Sequence, residues 1–174
     1  MPIEESALVV LVPESEGLVG EWRRRYDPAA NYGVPAHVTV LYPFVPPRLI
    51  DDALTSRLRE LFGGARCFDF TLESVRRFGD QILYLAPSPA TSFELLTQAV
   101  VEAFPDYPPY EGQHEKVVAH LTVTDGAPLD QLAPIESAVG AGLPIFATAV
   151  RVSLLIGRDE PGTWLVRDEF SLGN

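Results

Sequence analysis

The stretch PAHVTVLYPF at residues 35–44 places two polar side chains on an otherwise apolar strand. Val38 and Val40 alternate with His37 and Thr39, and successive residues of a strand point to opposite faces. The valines are suited to a core, so the imidazole and the hydroxyl face the other way together. The sequence therefore predicts a strand whose second face carries chemistry rather than packing.

The stretch VVAHLTVTDG at residues 117–126 repeats this arrangement with His120 and Thr122. The predicted order of elements repeats as well: each motif is followed by a helix, a strand, a turn and a strand, over approximately residues 35–87 and 118–170. Two copies are too few for a solenoid, which needs about three or more repeats. They predict one bilobal α+β domain over residues 1–174.

In that architecture, two mostly antiparallel sheets are related by a pseudo-twofold axis, with helices on their outer faces and a central cleft. Each wall of the cleft contributes one histidine and one threonine. Hydrophobic periodicity and turn residues predict the individual elements. Strands are predicted at 7–12, 37–44, 67–75, 81–87, 117–123, 145–157 and 163–170, and helices at 14–26, 48–62, 89–104 and 128–142.

Composition limits the classes of protein that fit. The 174 residues carry a formal net charge of −11, which argues against a protein that binds long nucleic acid through clustered basic residues. The single cysteine, Cys67, excludes an intramolecular disulfide. No stretch resembles a signal peptide or a membrane span, and these features together favour the cytoplasm.

Two imidazoles and two hydroxyls in one cleft suit in-line displacement at phosphorus. An imidazole titrates near neutral pH, so one histidine can accept a proton while the other donates one. Threonine hydroxyls can donate hydrogen bonds to the remaining phosphoryl oxygens. No metal or other cofactor is required, and none is expected.

At this point the sequence resembles a known family. Paired His-x-Thr motifs on apolar strands, HVTV with His37 and Thr39 and HLTV with His120 and Thr122, are similar to those of the 2H phosphoesterase superfamily. That superfamily includes the 2′-5′ RNA ligase-like proteins and the cyclic nucleotide phosphodiesterases. The resemblance extends from residue 7 to about residue 170 through the order of elements.

The resemblance implies a substrate that is a small nucleotide or an RNA end, with a 2′,3′-cyclic phosphate or a 2′-5′ linkage. One histidine would activate water or a ribose hydroxyl and the other would protonate the leaving ribose oxygen, with the assignment between them open. The reverse reaction would be 2′-5′ RNA ligation. Basic clusters occur only at Arg23–Arg25 and Arg76–Arg77, which favours small nucleotides over long RNA.

Strand alternation adds weaker candidates for substrate contacts. Arg151 and Ser153 alternate with apolar residues and are expected to face the cleft, where Arg151 could pair with a phosphate or form a surface ion pair. Tyr84 and Trp164 occupy matching places in the two repeats, and each could stack on a base or lie in the core. Tyr42 falls on the side of the core valines, whereas Phe44 lies just past the strand and could rim the cleft.

Two other functions remain open. The first is a nucleotide or RNA-end binding protein that keeps the cleft but catalyses nothing. The second is a metal-dependent hydrolase, in which His114 and His120 would act with His37 or Asp125. The spacing of these residues matches no common metal motif, and His114 is predicted to be a solvated loop residue.

Overall fold

Eight strands and five α-helices are present in the part of the chain that the structure, a computed structural model, describes: residues 4–112 and 117–174. The strands are β1 (Glu5–Leu11), β2 (His37–Leu41), β3 (Phe68–Phe78), β4 (Ile82–Ser88), β5 (Leu121–Asp125), β6 (Ile145–Ala149), β7 (Arg151–Gly157) and β8 (Leu165–Ser171). The helices are α1 (Glu16–Tyr26), α2 (Pro28–Asn31), α3 (Asp52–Gly63), α4 (Thr91–Ala103) and α5 (Leu129–Gly140).

The strands form two four-stranded sheets of matching design. Sheet I has the order β2-β1-β7-β8 and sheet II the order β5-β4-β3-β6, and neighbouring strands in both are antiparallel. Each motif strand, β2 or β5, lies at the edge of its sheet beside the strand that precedes it in the chain. The predicted α+β class, with two antiparallel sheets around a cleft, is confirmed.

The sheets are not built from one repeat each, and that part of the prediction is wrong. The β3–β4 hairpin follows the His37 strand in the chain but pairs with β5 in sheet II. The β7–β8 hairpin follows the His120 strand but pairs with β1 in sheet I. The strand predicted over 145–157 is divided at Val150 into β6 and β7, which join different sheets.

An extra residue follows the threonine of each motif strand. Thr39 pairs with one residue of β1 and Leu41 with the next, which leaves Val40 as a bulge. The residue after Thr122, Val123, has the same place between β5 and β4. The matching bulges support the pseudo-twofold relation between the sheets, and they reverse the alternation beyond each threonine.

One continuous core lies behind both motif strands. It contains Val38 and Val40 of β2 together with Leu121 and Val123 of β5, as the alternation predicted. Apolar residues of the longer helices complete it: Val19, Leu58, Phe62, Phe93, Leu96, Val100, Leu132, Ile135 and Val139. Within the described residues, no helix is both long and apolar enough to cross a membrane.

Gly157, at the end of β7, is expected to be intolerant of a side chain because Trp164 occupies the space beside it. A Cβ at this position would overlap the indole ring and the Cα of Trp164, so Gly157→Ala should cost about 1–3 kcal/mol through overpacking. Gly17 on α1 has nothing within 4 Å of such an atom, so Gly17→Ala should be neutral or stabilise by up to about 1 kcal/mol. Chemical denaturation of both variants gives this comparison, and equal stabilities would contradict it.

Candidate active site

The two motif histidines are held in the same way. His37 Nδ1 lies 2.8 Å from the carbonyl oxygen of Pro35, and His120 Nδ1 lies 2.6 Å from that of Val118. A carbonyl oxygen only accepts hydrogen bonds, so each Nδ1 carries the hydrogen. Nε2 of each neutral ring therefore has a free lone pair. In this tautomer Nε2 can accept a proton, as a general base must.

The structure brings the two histidines together. The strands β2 and β5 lie against each other, although 83 positions separate His37 from His120 in the chain. A charge on His120 is close enough to lower the pKa of His37. Both rings are half-buried, so the two imidazoles form one electrostatically coupled pair in a partly desolvated cleft.

Burial disfavours the charged form of both imidazoles. Desolvation lowers the pKa of His37 to about 4, against the opposing effect of the Pro35 carbonyl and with smaller lowering effects of Arg23 and His120. Desolvation also lowers the pKa of His120, against the effect of the Val118 carbonyl. Without a bound anion, both rings are therefore neutral at neutral pH.

The motif threonines share the faces of their histidines. Thr39 and Thr122 are half-buried, whereas the residues on either side of each are buried. Two residues along a strand correspond to about 7 Å, so each hydroxyl lies beside its imidazole on the cleft face. Each histidine thus has its threonine beside it on its own strand, and the two strands that carry these pairs lie against each other.

A cavity of about 210 Å³ opens beside His37. We call it the His37 cavity, and its walls come from sheet I, from the end of α2 and from the loops around them. Its lining residues are Ala7, Val9, Ala29, Tyr32, Val34, His37, Thr39, Tyr42, Leu155, Asp159 and Trp164. The lining is largely apolar and aromatic, with one carboxylate.

Trp164 is built firmly into the wall of this cavity. Its amide donates to the carbonyl of Tyr32 at 2.8 Å, and only 8% of the residue is exposed. Gly33, with φ of +103°, passes so close that a Cβ there would lie 2.9 Å from the Trp164 carbonyl oxygen. The predicted position of Trp164 at the site is consistent with this arrangement, but Trp164 does not occupy the place in sheet I that Tyr84 has in sheet II.

Tyr42 lines the His37 cavity, so its predicted place in the core is wrong. The bulge at Val40 moves Leu41 into the core and turns Tyr42 to the cleft side. Its ring lies 6.3 Å from that of Trp164, and its hydroxyl donates to Glu5 at 3.0 Å. Burial, followed by the nearby carboxylates with Glu5 first, raises the pKa of Tyr42, so the hydroxyl stays protonated.

The opposite wall, formed by sheet II, is filled by aromatic rings. Tyr84 stacks on Phe78 with ring centroids 4.1 Å apart, and both meet the His120 ring edge to face at 5.7 and 5.1 Å. Tyr84 is only 6% exposed. Tyr84 therefore packs against His120 and supports its ring. The sequence analysis did not identify Phe78, although alternation along β3 puts it on the same face as Arg76 and Tyr84.

Arg76 is a cleft-side cation that the sequence indicated only as part of a basic cluster. It pairs with Tyr84 across β3 and β4, and Tyr84 pairs with Thr122 across β4 and β5. Its neighbour Arg77 points to the helical side, where it binds Glu136 on α5 at 2.7 Å. Arg76 thus lies on the same face as Thr122, two strands away.

Arg151 and Ser153 lie on the cleft face of β7, but neither is placed to contact a ligand in the His37 cavity. Arg151 is exposed and forms an ion pair with Glu169 at 3.0 Å, which is the surface pairing considered for it. Ser153 is fully buried, and its Oγ has no hydrogen-bond partner within the described residues. Neither side chain lines the His37 cavity.

Phe44 does not rim the cleft. It is 3% exposed and packs edge to face on Phe104 with centroids 5.3 Å apart. The chain turns inward after β2, because the Phe44 amide donates to the carbonyl of Ser6. The prediction for Phe44 is therefore corrected to a core position.

His114, the third histidine, lies outside the described residues. Among residues 4–112 and 117–174, no group of three His, Cys, Asp or Glu side chains is arranged to hold a metal ion. The arrangement that the structure does provide is a set of two imidazoles and two hydroxyls.

Comparisons with known proteins agree with this fold. No match to a curated protein was found. Among solved structures, TT0787 of Thermus thermophilus has a TM-score of 0.66 at 18% identity, with 98% of this chain and 99% of that chain covered. LigT of E. coli complexed with 3′-AMP has a TM-score of 0.64 at 13% identity, with both chains fully covered at 100%.

A further solved structure, described as a phosphoesterase, has a TM-score of 0.61 at 13% identity over 100% of both chains. At such identities these similarities show a shared fold. The model of the 2′-5′ RNA ligase superfamily matches residues 11–161, which is most of the chain. The protein therefore belongs to the 2′-5′ RNA ligase superfamily, within the 2H phosphoesterases.

Proposed function

We propose that the protein is a metal-independent phosphoesterase that hydrolyses 2′,3′-cyclic phosphates or 2′-5′ phosphodiester bonds of small nucleotides or RNA ends. His37 and His120 act as the acid–base pair, and Thr39 and Thr122 hold phosphoryl oxygens. The observation that carries the proposal is the shared geometry of the two histidines. Each donates through Nδ1 to the carbonyl two residues before it, on strands that lie against each other.

The proposed step is an in-line displacement. A water oxygen forms a bond to phosphorus while the bond from phosphorus to a ribose oxygen breaks. Nε2 of one histidine takes the proton of the water, and Nε2–H of the other gives its proton to the leaving oxygen. The two threonine hydroxyls donate to the non-bridging oxygens, where negative charge concentrates. When a ribose hydroxyl takes the place of water, the same displacement on a 2′,3′-cyclic phosphate forms a phosphodiester bond and releases the other ribose oxygen of the ring as a hydroxyl.

This step needs one proton on the pair, although both rings are neutral without a bound anion. A phosphoryl anion between the rings favours the charged form of an imidazole, because opposite charges within about 4–6 Å stabilise each other. Substrate binding would thus supply the acid by raising the pKa of one histidine. The other remains neutral, since two like charges in the cleft disfavour each other.

The His37 cavity supports a nucleoside as the organic part of the substrate. Its volume of about 210 Å³ is below the roughly 300–1,000 Å³ of pockets for drug-sized ligands, so it suits one ring system. Trp164 and Tyr42 offer faces for a base, and Asp159 offers an acceptor for its amino or imino groups. LigT, which shares the fold, was crystallised with 3′-AMP and with ATP.

The charge distribution favours small substrates. Carboxylates of Glu5, Asp159 and Glu111 act on Tyr42 beside the cavity, and the protein carries a net charge of −11. A long polyanion would meet unfavourable charge around the cleft, whereas a single phosphate is held locally by donors. A 2′,3′-cyclic mononucleotide is therefore the first substrate to assay.

Substitution of either cleft histidine should remove most of the turnover. We expect His37→Ala and His120→Ala each to lower kcat for 2′,3′-cyclic mononucleotides by about 10²–10⁴-fold. His114→Ala, which changes the third histidine, is the matched control and should retain the rate. The assay is product formation in the presence of EDTA.

Different outcomes of this assay would support the other two functions. Unaltered release of bound cyclic nucleotide by the wild-type protein would support a binding protein. Loss of activity in EDTA with recovery on addition of zinc, together with loss in His114→Ala, would support a metal enzyme.

His37 should titrate far below an ordinary histidine. NMR of the imidazole Cε1–H signals, assigned with His→Gln variants, should give a pKa of about 4 for His37, and inorganic phosphate should raise the pKa of at least one ring of the pair. The unfolded chain binds the proton near pH 6.5, so this histidine contributes stability that is fully present above pH 6.5. That contribution is lost as the pH falls from 6.5 towards 4. A His37 pKa near 6.5 would contradict this account.

Trp164 should affect binding rather than chemistry. Loss of base stacking costs about 1–3 kcal/mol per base, so Trp164→Leu should raise KM for a cyclic mononucleotide by about tenfold or more with little change in kcat. Phe146→Leu is the matched control, because Phe146 lies 72% exposed on the edge strand β6. Equal KM values for the two variants would place the base elsewhere.

A further inference from the structure

We propose that Glu16, Arg23 and Asp27, here called the α1 cluster, are positioning residues for His37. They fix the backbone of residues 34–36 so that the Pro35 carbonyl accepts from His37 Nδ1. Their effect on turnover rests on the proposed function, whereas their effect on the imidazole does not.

The first support is the hydrogen bonding of Val34, at the start of segment 34–36. Its amide donates to the carbonyl of Ala29 at 3.0 Å. Its carbonyl accepts from Nη2 of Arg23 at 3.0 Å. Both polar backbone groups of Val34 are thus occupied, one by the α2 region and one by a side chain of α1.

The polar backbone groups of Pro35 and Ala36 also all have hydrogen-bond partners. The Ala36 amide donates to Oε1 of Glu16 at 2.7 Å, and the Ala36 carbonyl accepts from the amide of Val12 at 2.9 Å. Pro35 has no amide hydrogen, so only its carbonyl remains, and this carbonyl accepts from His37 Nδ1. Every polar backbone group of the segment has a partner, and the single group left for the imidazole is an acceptor.

Arg23 and Asp27 close this arrangement into a ring. Arg23 is 3% exposed and lies 3.0 Å from Asp27, which is 5% exposed in its side chain. Asp27 Oδ1 accepts from the amide of Ala29, the residue whose carbonyl accepts from Val34. A buried ion pair adds little net stability on average, so its closed connection to the His37 segment indicates a role in geometry.

The absence of a side chain at Gly20 leaves space for the carboxylate of Glu16 on α1. A Cβ at Gly20, one turn along α1, would lie 3.0 Å from Oε2 of Glu16. Glycine inside a helix costs roughly 0.5–1 kcal/mol relative to alanine, and here its missing side chain leaves space for the carboxylate. The glycine that is unfavourable for the helix thus lies where the Glu16 carboxylate must fit to accept from the Ala36 amide.

The consequence for chemistry is the choice of tautomer. A neutral imidazole can carry its hydrogen on either nitrogen, and the partner of one nitrogen decides the state of the other. If the Pro35 carbonyl moved, His37 would lose the interaction that keeps Nε2 unprotonated towards the cleft. Supporting groups of this kind commonly affect activity by about 10–100-fold, as they do around metal-bound histidines.

His120 offers an internal control. It makes the corresponding bond to Val118, and within the described residues this is the side-chain hydrogen bond that the backbone of 117–119 accepts. The side-chain hydrogen bonds of the α1 cluster thus reach the backbone before His37 and not the backbone before His120, although α1 also packs against β5. We therefore expect the tautomer of His37 to change more than that of His120.

The test compares Glu16→Ala with Glu16→Gln in the full chain. Glutamine keeps an oxygen that accepts from the Ala36 amide, whereas alanine removes it. At pH 7.5, ¹⁵N shifts of the imidazoles should show the Nδ1–H tautomer of His37 in the wild type and in Glu16→Gln, and a mixture of tautomers in Glu16→Ala. Glu16→Ala should lower kcat by about tenfold or more with KM within about twofold.

The outcomes separate positioning from stability and from function. A folded Glu16→Ala protein in which His37 keeps its tautomer would overturn the proposal, even if its melting temperature fell. If Glu16→Ala does not fold, Arg23→Lys decides, because an ammonium cannot reproduce the planar fork to Asp27 and Val34 and the same change of tautomer is expected. If the wild type does not turn over nucleotides, the proposed function fails while the NMR result still decides the role of the α1 cluster.

Discussion

An imidazole that donates through Nδ1 to a carbonyl can present only Nε2 to a ligand, and this constraint holds at both His37 and His120. The constraint depends on the position of the carbonyl two residues before each histidine, so it is set by the backbone that leads into β2 or β5. The remaining features of the cleft follow from it. In the proposed function both Nε2 atoms act on one phosphorus centre, and the burial of the two imidazoles in the cleft lowers the pKa of both rings.

The pseudo-twofold symmetry of the sheets relates the motif residues but not the side chains that surround them. Both walls supply a histidine, a threonine and a bulge one residue later. Beyond these, sheet I leaves a cavity lined by Trp164 and Asp159, whereas sheet II fills the equivalent space with Phe78 and Tyr84. In the proposed reaction the two sides of phosphorus differ, because only one side of the proposed substrate bears a nucleoside. On that proposal the open wall suits the nucleoside and the filled wall suits water or a small alcohol.

Much of this arrangement could be predicted from local pattern, and the parts that could not are non-local. Alternation placed Val38, Leu121 and the motif threonines on their faces because it needs only the strand itself. It failed at Tyr42 because a bulge inserts one residue, and the bulge depends on the pairing of β2 with β1. The exchange of the two hairpins between sheets was missed for the same reason, since strand partners are chosen by long-range packing and not by the order of elements.

The proposed function has an acidic protein bind a phosphate, and this is physically consistent because such recognition can depend on hydrogen-bond donors more than on net charge. Hydroxyls and a singly protonated imidazole pair concentrate positive potential at one point, and the half-buried cleft strengthens each of these interactions relative to water. The acidic surroundings then act as a filter: they oppose a polyanion over its whole length but act weakly, and through screening solvent, on one phosphate. On the proposed function, a neutral pair that gains its proton only when an anion binds suits small substrates, since the substrate itself would complete the acid that cleaves it.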